Sequence, residues 1–287
     1  MADKLLHIFR NTPLGRETLL QSIYFCKRLD VRLVAYVPES TKFLMYFKHD
    51  AIQVDLDPSY LNDPETAVLH LNQLAAAENF EVGLLTPETY TASTLPDIPV
   101  NFAFMCCPRS ISDLSSKIGL GYIGPRVRGI IQAARFPVLI TSPVYKPWQR
   151  IALFFGGSVN AVKALRLAIR IANVTGMPLD IFTQRGRKSD SEYRAIVHRR
   201  KLEKPLQDVL NQWTFFEKGR FEDNLYQVPH DALVVLGAYG HGLIKDIVFG
   251  SMMEKIQSTI SNNLLIAGPR YTQPARGLAE GLFEKPV

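Results

Sequence analysis

The stretch ALVVLGAYGHGLIKDIVFGS, from Ala232 to Ser251, joins a continuous apolar run to a loop rich in glycine. An apolar run of this kind is typical of a strand that a parallel sheet buries on both faces. Gly237, Gly240 and Gly250 follow the spacing G-x2-G-x9-G, and a hydroxyl residue comes directly after the last glycine. Ordinary core packing does not require that spacing. The stretch therefore predicts a specialised loop between a buried strand and the next helix.

The end of this loop has the properties of an anion site. The amides of Gly250, Ser251 and Met252 would lie in the first turn of the next helix, where they have no partner within the helix. The positive end of the helix dipole lies behind them, which suits a phosphate. Gly237 and Gly240 would let the main chain approach a ligand closely. Because open parallel sheets bind ligands at the carboxyl ends of their strands, we predict a ribose and phosphate cradle here.

Simpler interpretations stay open for each part of the loop. Ser251 and Glu254 form the S-x-x-E pattern of a capping box, which stabilises a helix whether or not a ligand binds. Gly237 can simply end the strand, and Gly240 and Gly242 can serve a turn. The glycine spacing alone therefore does not separate a ligand site from ordinary strand, turn and helix ends.

Two side chains of the loop carry chemistry of their own. His241 stands without a partner carboxylate, so it is typical of a solvent-facing residue whose main chain alone contacts a phosphate. Asp246 is the one candidate in the loop for ATP hydrolysis, and no arginine finger or general base accompanies it. We therefore predict no dedicated catalytic residue.

Other nucleotide motifs fit the sequence less well. The P-loop pattern G-x-x-x-x-G-K-[ST] does not occur in the chain. GLGYIG, from Gly119 to Gly124, matches the dinucleotide pattern but follows the fourth strand of its half instead of the first, with Pro125 directly after it. We interpret it as the counterpart, in the first half, of the loop that ends at Gly250.

The chain contains the same series of strands and helices twice. The predicted strands are LLHIF, VRLVAYV, EVGLLT, NFAFMCC and PVLIT in the first half, and IALFF, PLDIFT, WTFFEKG, ALVVLG and LLIAG in the second. The predicted helices cover about residues 15–29, 65–79, 125–135, 159–175, 194–212, 222–227 and 251–262. The alternation predicts an α/β fold of two tandem Rossmann-like domains, each a five-stranded parallel sheet with helices on both faces.

The domain boundaries follow from the repeat. We place the domains at residues 1–145 and 150–270, with SPVYKPWQR as the seam and residues 271–287 as a tail. The starts of the two copies, Leu5 and Ile151, are 146 residues apart, whereas their ends, Gly124 and Gly250, are 126 apart. The first half therefore carries about 20 extra residues, which we expect in the acidic stretch between Lys48 and Pro64.

Composition limits the class of protein. The 287 residues are 47% hydrophobic and 21% charged, which is typical of a globular chain in water. Neither a long apolar run nor a secretory signal occurs, so we expect a cytoplasmic protein without membrane insertion.

Cys26, Cys106 and Cys107 lack the spacing of a metal or redox motif, so we expect buried packing residues and no metal site. The excess of positive charge includes Gln184–Lys204, which we interpret as a solvated helix face because a nucleic-acid site would interleave aromatic residues.

The pattern Gly237-x2-Gly240-x9-Gly250-Ser251, after a buried strand and before the last helix, resembles the nucleotide motif of the universal stress protein family. The two copies of the strand series resemble the tandem members of that family. The resemblance implies an adenine nucleotide at the carboxyl edge of the sheet: ATP, with ADP or AMP as alternatives and magnesium as an optional companion. The implied site consists of Leu236, Gly237, Gly240, His241, Gly242, Gly250, Ser251 and Met252, with Gly156 and Phe182 from the first two strands of the second half.

The resemblance assigns parts of the nucleotide to these residues. It places Leu236 beside the adenine, Gly237 against the ribose and Gly240 opposite the phosphates, to which the amides of residues 250–252 donate. Family members that bind ATP usually have an aspartate at the end of the first strand to fix the base. In this chain Gly156 has that position in the second half, so the acceptor that selects adenine is missing.

The first half departs further from the family pattern. Arg10 or Asn11 follows its first strand, and its second strand supplies Val37 at the pocket position, where the second half has Phe182 or Thr183. Cys107 lies near the first glycine position, and Pro125 replaces the final hydroxyl residue, which removes one backbone donor. We therefore predict one competent site, in the second half, and a first half that serves folding and dimerisation.

Three functions are compatible with the sequence. The leading hypothesis is a regulatory module in stress response that couples adenine-nucleotide occupancy to an unidentified protein partner or to self-association. The alternatives are a nucleotide-independent interaction or scaffold protein and a slow ATP hydrolase. The tandem arrangement also suggests that the two halves pair along PVLIT and LLIAG, and it leaves a homodimer open.

Overall fold

The computed structural model describes residues 3–47, 50–61, 63–90, 94–108, 123–186, 188–216, 221–238 and 261–272. The strands are β1 Lys4–Ile8, β2 Arg32–Tyr36, β3 Lys42–Phe47, β4 Asp50–Asp55, β5 Val82–Leu84, β6 Asp97–Ile98, β7 Phe104–Cys107, β8 Val138–Ile140, β9 Arg150–Phe154, β10 Leu179–Gln184, β11 Leu210–Phe216, β12 Ala232–Gly237 and β13 Leu264–Ala267. The helices are α1 Pro13–Leu29, α2 Pro64–Ala77, α3 Pro125–Ala133, α4 Val159–Thr175, α5 Asp190–Arg199, α6 Glu203–Gln207 and α7 Phe221–Asn224, with 3-10 turns at Pro58–Leu61 and Leu225–Gln227.

One large sheet unites the two halves of the chain. Its strands run in the order β11-β10-β9-β12-β13-β8-β7-β1-β2-β5, so each half contributes five neighbouring strands. Neighbours within each half pair parallel, whereas β13 and β8 pair antiparallel, with Leu264 opposite Ile140 and Ile266 opposite Val138. The α/β fold predicted from the sequence is confirmed, and the last strands pair as the tandem arrangement suggests.

The first helix of each half shows how closely the two halves repeat. Helices α1 and α4 have 17 residues each, and they begin 146 residues apart. Thr12 and Ser158 cap them, because each hydroxyl accepts a hydrogen bond from the amide three residues later, at 3.1 Å in both cases. Asp30 and Gly176 end them in the left-handed backbone region. Local cap chemistry therefore sets the same helix length twice.

The helix predicted over residues 194–212 is wrong in its extent. The structure has α5 earlier, then the short α6, and a strand from Leu210 onward. Pro205 cannot continue a long helix, because it lacks the backbone N–H and its ring clashes with the preceding turn, but it fits the first turn of α6. Lys201, with φ of 56°, reverses the chain between the two helices. The strand then begins because its aromatic side chains pack against α5 and β10.

The extra residues of the first half form a small second sheet that the sequence did not predict. Strands β3 and β4 pair antiparallel, and β6 joins β3 to give the order β4-β3-β6. The insertion begins at Lys42, before the predicted stretch from Lys48 to Pro64. Phe43 and Met45 are fully buried against the large sheet, and the Phe43 ring lies 5.7 Å from that of Tyr36. These contacts with the large sheet stabilise a hairpin that has no strong local turn signal.

Buried side chains of both halves mix on each face of the large sheet. One buried cluster lies on each face, and each cluster contains residues from both halves. The seam between the halves takes part, since Trp148 is only 2% exposed and its ring lies 5.5 Å edge-on from that of Tyr24. Arg170 of α4 also pairs with Asp3, 2.7 Å away, at the start of the first half. The seam is therefore part of the hydrophobic core.

A buried amide joins the halves at the central strand pair. The side-chain oxygen of Asn263 accepts from the Ser142 amide at 2.8 Å. Its Nδ2 donates to Gln21 Oε1 at 3.0 Å and to the Lys146 carbonyl at 3.2 Å. Asn263 is 3% exposed, so these partners lose their hydrogen bonds without access to water if the amide is removed.

Asn263→Ala is expected to lower the free energy of unfolding by about 2–3 kcal/mol, because it leaves several buried polar groups without partners. Urea denaturation followed by circular dichroism measures the change. Asn224→Ala is the matched control, since its amide bonds Gln184 within the second half and is less buried. Equal losses in the two variants would contradict a special role for the amide between the halves.

Candidate functional site

The strand order reverses between β9 and β12, in the second half. From β9 the chain continues outward to β10 in one direction, whereas β12 lies on the other side of β9. Val235 lies in register with Leu153, so the carboxyl ends of the two strands lie side by side. Gly156 follows β9 and Gly237 ends β12. This is the place in an open parallel sheet where a crevice forms and where ligands bind.

Gly237 is required by the packing of α4. A Cβ at this position would lie 2.2 Å from the Asn160 carbonyl oxygen and 2.8 Å from the Ala161 amide nitrogen. The backbone of the first turn of α4 therefore fills the space that a side chain would need. The glycine spacing predicts a contact between Gly237 and a ligand. The structure shows in addition that the packing of α4 requires a glycine here, and the ribose contact stays a prediction.

The residue after Gly237 is held from two sides. Asn160 Nδ2 donates to the Ala238 carbonyl at 2.6 Å, and the Ala238 amide donates to the Ala267 carbonyl at 2.9 Å. Ala238 is fully buried. The start of the glycine-rich loop is thus fixed to α4 and to β13, although no sequence motif pointed to Asn160.

The predicted base-side residues Leu236 and Phe182 lie in the core on one face of the sheet. Leu236 is 2% exposed and Phe182 is 1% exposed. The Phe182 ring lies 6.1 Å from Phe154 and stacks on Phe216 at 5.6 Å. The structure therefore groups Phe182 with two other phenylalanines on neighbouring strands. Contact of Phe182 and Leu236 with a base stays a prediction.

Thr183, the alternative to Phe182, uses its hydroxyl within the protein. Its Oγ1 donates to the Phe155 carbonyl at 2.9 Å and accepts from Trp213 Nε1 at 3.0 Å. The residue is fully buried. Both hydrogen-bonding directions of the hydroxyl are therefore satisfied by neighbouring strands.

The remaining predicted site residues lie outside the described part of the chain. They are Gly240, His241, Gly242, Gly250, Ser251 and Met252, together with the hydrolysis candidate Asp246. Their assignment rests on the sequence spacing.

The first half places a charged cluster at the end of β1. Arg10 Nη2 lies 3.2 Å from Asp57 Oδ1, and Arg10 Nε donates to Ser59 Oγ at 2.6 Å. The guanidinium lies 5.2 Å from the centroid of the Tyr60 ring. Asp57 and Tyr60 are buried. The inserted 3-10 turn Pro58–Leu61 therefore covers the carboxyl end of this strand.

Sequence reasoning missed Asp57, Ser59 and Tyr60 as part of this cluster. Two signals were present: an arginine where the family has an aspartate, and acidic residues in the segment between Lys48 and Pro64. Arg10 and the acidic residues of the inserted segment have no counterparts in the second half. Opposite charges that occur in only one of the two halves are candidates for an ion pair. Spacing alone could not join them, because Arg10 and Asp57 are 47 residues apart.

Asn11, Val37 and Pro125 also contribute to the structure of the first half. Asn11 Oδ1 accepts from Arg16 Nη2 at 3.2 Å and lies 3.0 Å from His70 Nδ1. Val37 is half-buried and packs against the core on the α1 face. Pro125 is the first residue of α3, so the first turn of this helix offers one backbone donor fewer, as predicted.

Comparison with known proteins finds similarity to universal stress proteins. No family model matches the sequence. A curated universal stress protein of Synechocystis, Slr1230, is 23% identical over 146 residues, which are 50% of this chain and 50% of that protein. A universal stress protein structure from Archaeoglobus fulgidus aligns over 93% of this chain and 96% of its own, with a TM-score of 0.59 and 15% identity. The chain is similar to universal stress proteins in sequence over half of its length and in fold over nearly all of it.

A second structure supports the same fold. A putative universal stress protein from Pseudomonas aeruginosa aligns over 94% of each chain, with a TM-score of 0.54 and 12% identity. At these identities the structures establish the fold of the chain. The sequence match spans about half the length of the Synechocystis protein.

The three cysteines are buried thiols, as the sequence predicts. Cys26, Cys106 and Cys107 are free and at most 1% exposed. Burial raises the pKa of the Cys106 thiol to about 12 and raises the pKa of the other two thiols as well. The thiols stay protonated near neutral pH, which leaves them poor nucleophiles and poor metal ligands.

The described residues contain neither a metal-binding cluster nor a membrane-spanning helix. Within those residues, no cluster of three or more His, Cys, Asp or Glu side chains has the arrangement of a metal site. Among the described helices, none combines the length and apolar character needed to span a bilayer.

Proposed function

We propose that the chain is a universal stress protein and acts as a regulatory module that binds an adenine nucleotide in its second half. The carrying observation is the reversal of strand order between β9 and β12, with a glycine at the carboxyl end of each strand, Gly156 and Gly237. The chain leaves β12 at this point into the loop that contains the G-x2-G-x9-G-S motif. Fold, position and motif agree on one crevice.

The motif suggests how the ligand is held. The amides of Gly250, Ser251 and Met252 donate to the phosphates, Gly240 allows the main chain to approach them, and Leu236 borders the base. His241 and Gly242 lie between these groups in the sequence and contribute main-chain contacts. The ligand is ATP, or ADP or AMP with the same adenosine part, with magnesium as a companion of the phosphates.

The first half contributes structure in this proposal. Arg10 at the end of β1 is engaged by the inserted turn, and Pro125 lacks a donor at the start of α3. One nucleotide per chain is therefore expected. In the first half, β8 is the antiparallel partner of β13, a position that a second chain would otherwise occupy. A homodimer of two such chains is a further arrangement in this proposal.

The second candidate function is a nucleotide-independent interaction protein in stress response. Gly156 provides no side-chain acceptor for the adenine amino group, and Phe182 is packed within an aromatic cluster. Slow ATP hydrolysis is the third candidate, with Asp246 as its one carboxylate. An unchanged hydrolysis rate in Asp246→Ala would remove that candidate.

Magnesium-ATP at one hundred times its dissociation constant is expected to stabilise the protein by about 2.7 kcal/mol, because it binds the folded state alone. A thermal unfolding scan with and without the nucleotide measures this. Mass spectrometry of small molecules released on denaturation identifies a ligand that purifies with the protein. A protein that releases no nucleotide and shows no thermal shift would favour the scaffold function.

Gly240→Val and Gly250→Val are each expected to weaken ATP binding by more than about 100-fold, since a branched side chain would enter the phosphate cradle. Isothermal titration calorimetry gives the affinities. Gly124→Val is the control, because Gly124 precedes α3 at the matching place in the first half. Equal loss in all three variants would refute the assignment of the single site to the second half.

A further inference from the structure

The two halves of the sheet can be superimposed residue by residue through their strand registers. Leu5 pairs with Leu33 and Phe104 in the first half, as Ile151 pairs with Leu179 and Leu233 in the second. This correspondence transfers the base-side positions of the proposed nucleotide site to the first half. The counterparts of Gly156, Phe182 and Leu236 are Arg10, Tyr36 and Cys107, respectively.

The ring of Tyr60 lies near two of these counterparts, Arg10 and Cys107. Tyr60 belongs to the same buried cluster as Tyr36 and Cys107, and it is 2% exposed. Arg10 covers the ring, with its guanidinium carbon 5.2 Å from the centroid. A planar aromatic ring therefore lies under the counterpart of Gly156, on the sheet face that carries the counterparts of Phe182 and Leu236.

The turn that carries Tyr60 is held firmly to the end of β1. Asp57 Oδ1 accepts from the Ser59 amide at 3.0 Å, and the Asp57 carbonyl accepts from the Tyr60 amide at 3.1 Å. Arg10 bonds both Asp57 and Ser59 from the strand side. Arg10, which stands where the family has an aspartate, thus binds this turn to the end of β1.

The second half has a shorter connection at this point. Its strand β10 ends at Gln184 and α5 begins at Asp190, whereas in the first half β2 ends at Tyr36 and α2 begins only at Pro64. The longer connection brings Pro58–Leu61 over the sheet edge. The difference between the halves therefore lies in the inserted segment and in the residue at the end of the first strand.

We propose that the first half contains a pocket for a planar ring and that its own Tyr60 occupies this pocket as a built-in ligand. The location rests on the proposed function, because the base position is taken from the proposed site in the second half. Without Tyr60 the pocket takes a neutral purine nucleoside. It gains little from phosphates, because Pro125 removes a donor from the matching helix start.

Tyr60→Ala, studied with adenosine as the probe, tests this proposal. Equilibrium dialysis of the full chain with radiolabelled adenosine counts the sites. We expect one more adenosine site per chain in Tyr60→Ala than in the wild type. ATP should bind the new site no more tightly than adenosine. At ten times its dissociation constant, adenosine should raise the melting temperature of Tyr60→Ala by about 2–5 °C beyond any shift of the wild type.

Two control variants separate a ring pocket from a general core defect. Tyr60→Phe keeps the ring and should show no additional site. Phe43→Ala removes another fully buried ring of the same insertion, which packs against Tyr36, and should also show no additional site. If Tyr60→Ala is unfolded alone, 4-methylphenol at millimolar concentration should restore its circular dichroism spectrum, because this molecule replaces the missing side chain.

The outcomes distinguish this proposal from the proposed function. Zero adenosine sites in the wild type and one in Tyr60→Ala would reject the second-half site and support the ring pocket. One site in both proteins would support the second-half site and overturn the ring pocket. Equal gains in Tyr60→Ala and Phe43→Ala, or an unfolded Tyr60→Ala that 4-methylphenol does not restore, would also overturn it.

Discussion

Gly237→Val is expected to lower the free energy of unfolding by at least about 3 kcal/mol. The new Cβ would lie 2.2 Å from the Asn160 carbonyl oxygen, and backbone atoms of a helix turn cannot move aside as the end of a flexible side chain can. Relief requires α4 to shift away from β12, which opens the core on that face. Urea denaturation measures the loss.

Gly83→Val is the matched control for this prediction. Gly83 also lies in a strand of the large sheet, but a Cβ there would meet its nearest atom, the Leu33 carbonyl oxygen, at 3.7 Å, an ordinary contact. The control should keep or slightly raise stability, because valine suits a strand better than glycine. A Gly237→Val protein as stable as Gly83→Val would show that the close approach of α4 is not required.

His7 is expected to make the protein sensitive to acid. Burial lowers the pKa of His7 from 6.5 to about 3, and the ring is 1% exposed with Nδ1 2.8 Å from Ser22 Oγ. The unfolded chain binds the proton more readily than the folded one. The contribution of the neutral ring is therefore complete above pH 6.5 and is lost as the pH falls from 6.5 towards 3, by about 2 kcal/mol at pH 5.

The comparison with His7→Gln isolates this effect from the titration of carboxylates. The variant keeps a polar side chain near Ser22 but cannot take up a proton, so its stability should fall less between pH 7 and pH 5. Urea denaturation at both pH values gives the difference. His198→Gln is the surface control, since that side chain is 75% exposed. Parallel pH profiles for wild type and His7→Gln would show that His7 is not the responsible group.

The strands and most helix ends could be predicted from local sequence. All ten strands of the large sheet were predicted, and most of them are continuous apolar runs because a strand buried on both faces requires apolar residues throughout. Helices α1 and α4 begin after hydroxyl residues, Thr12 and Ser158, which cap them. The helix predicted over residues 194–212 is wrong in its extent, because Pro205 interrupts it and residues 210–212 begin the edge strand β11.

The candidate ligand site stays a prediction, and the structure describes only its strand-side residues. The strand order puts the start of the glycine-rich loop, after β12, beside the end of β9. The sequence offered Gly237 as a ligand contact or as a strand end, whereas the structure shows that the first turn of α4 leaves no room for a side chain there. The hydrogen bond from Asn160 to the Ala238 carbonyl could not be predicted, since the two residues are 78 positions apart and no motif joins them.

The sequence by itself determined the ten strands of the large sheet, most of its helices, their twofold repetition and the place of the glycine loop after the fourth strand of the second half. Each depends on interactions between residues near in the chain: apolar runs, helix caps and fixed glycine spacing. Only the tertiary structure decided that the inserted residues form a second sheet, that Trp148 and Asn263 are buried at the seam between the halves, and that Tyr60 lies under Arg10. Such contacts form between segments that are far apart in the sequence. The topology of the chain brings these segments together, and local propensity does not encode that topology.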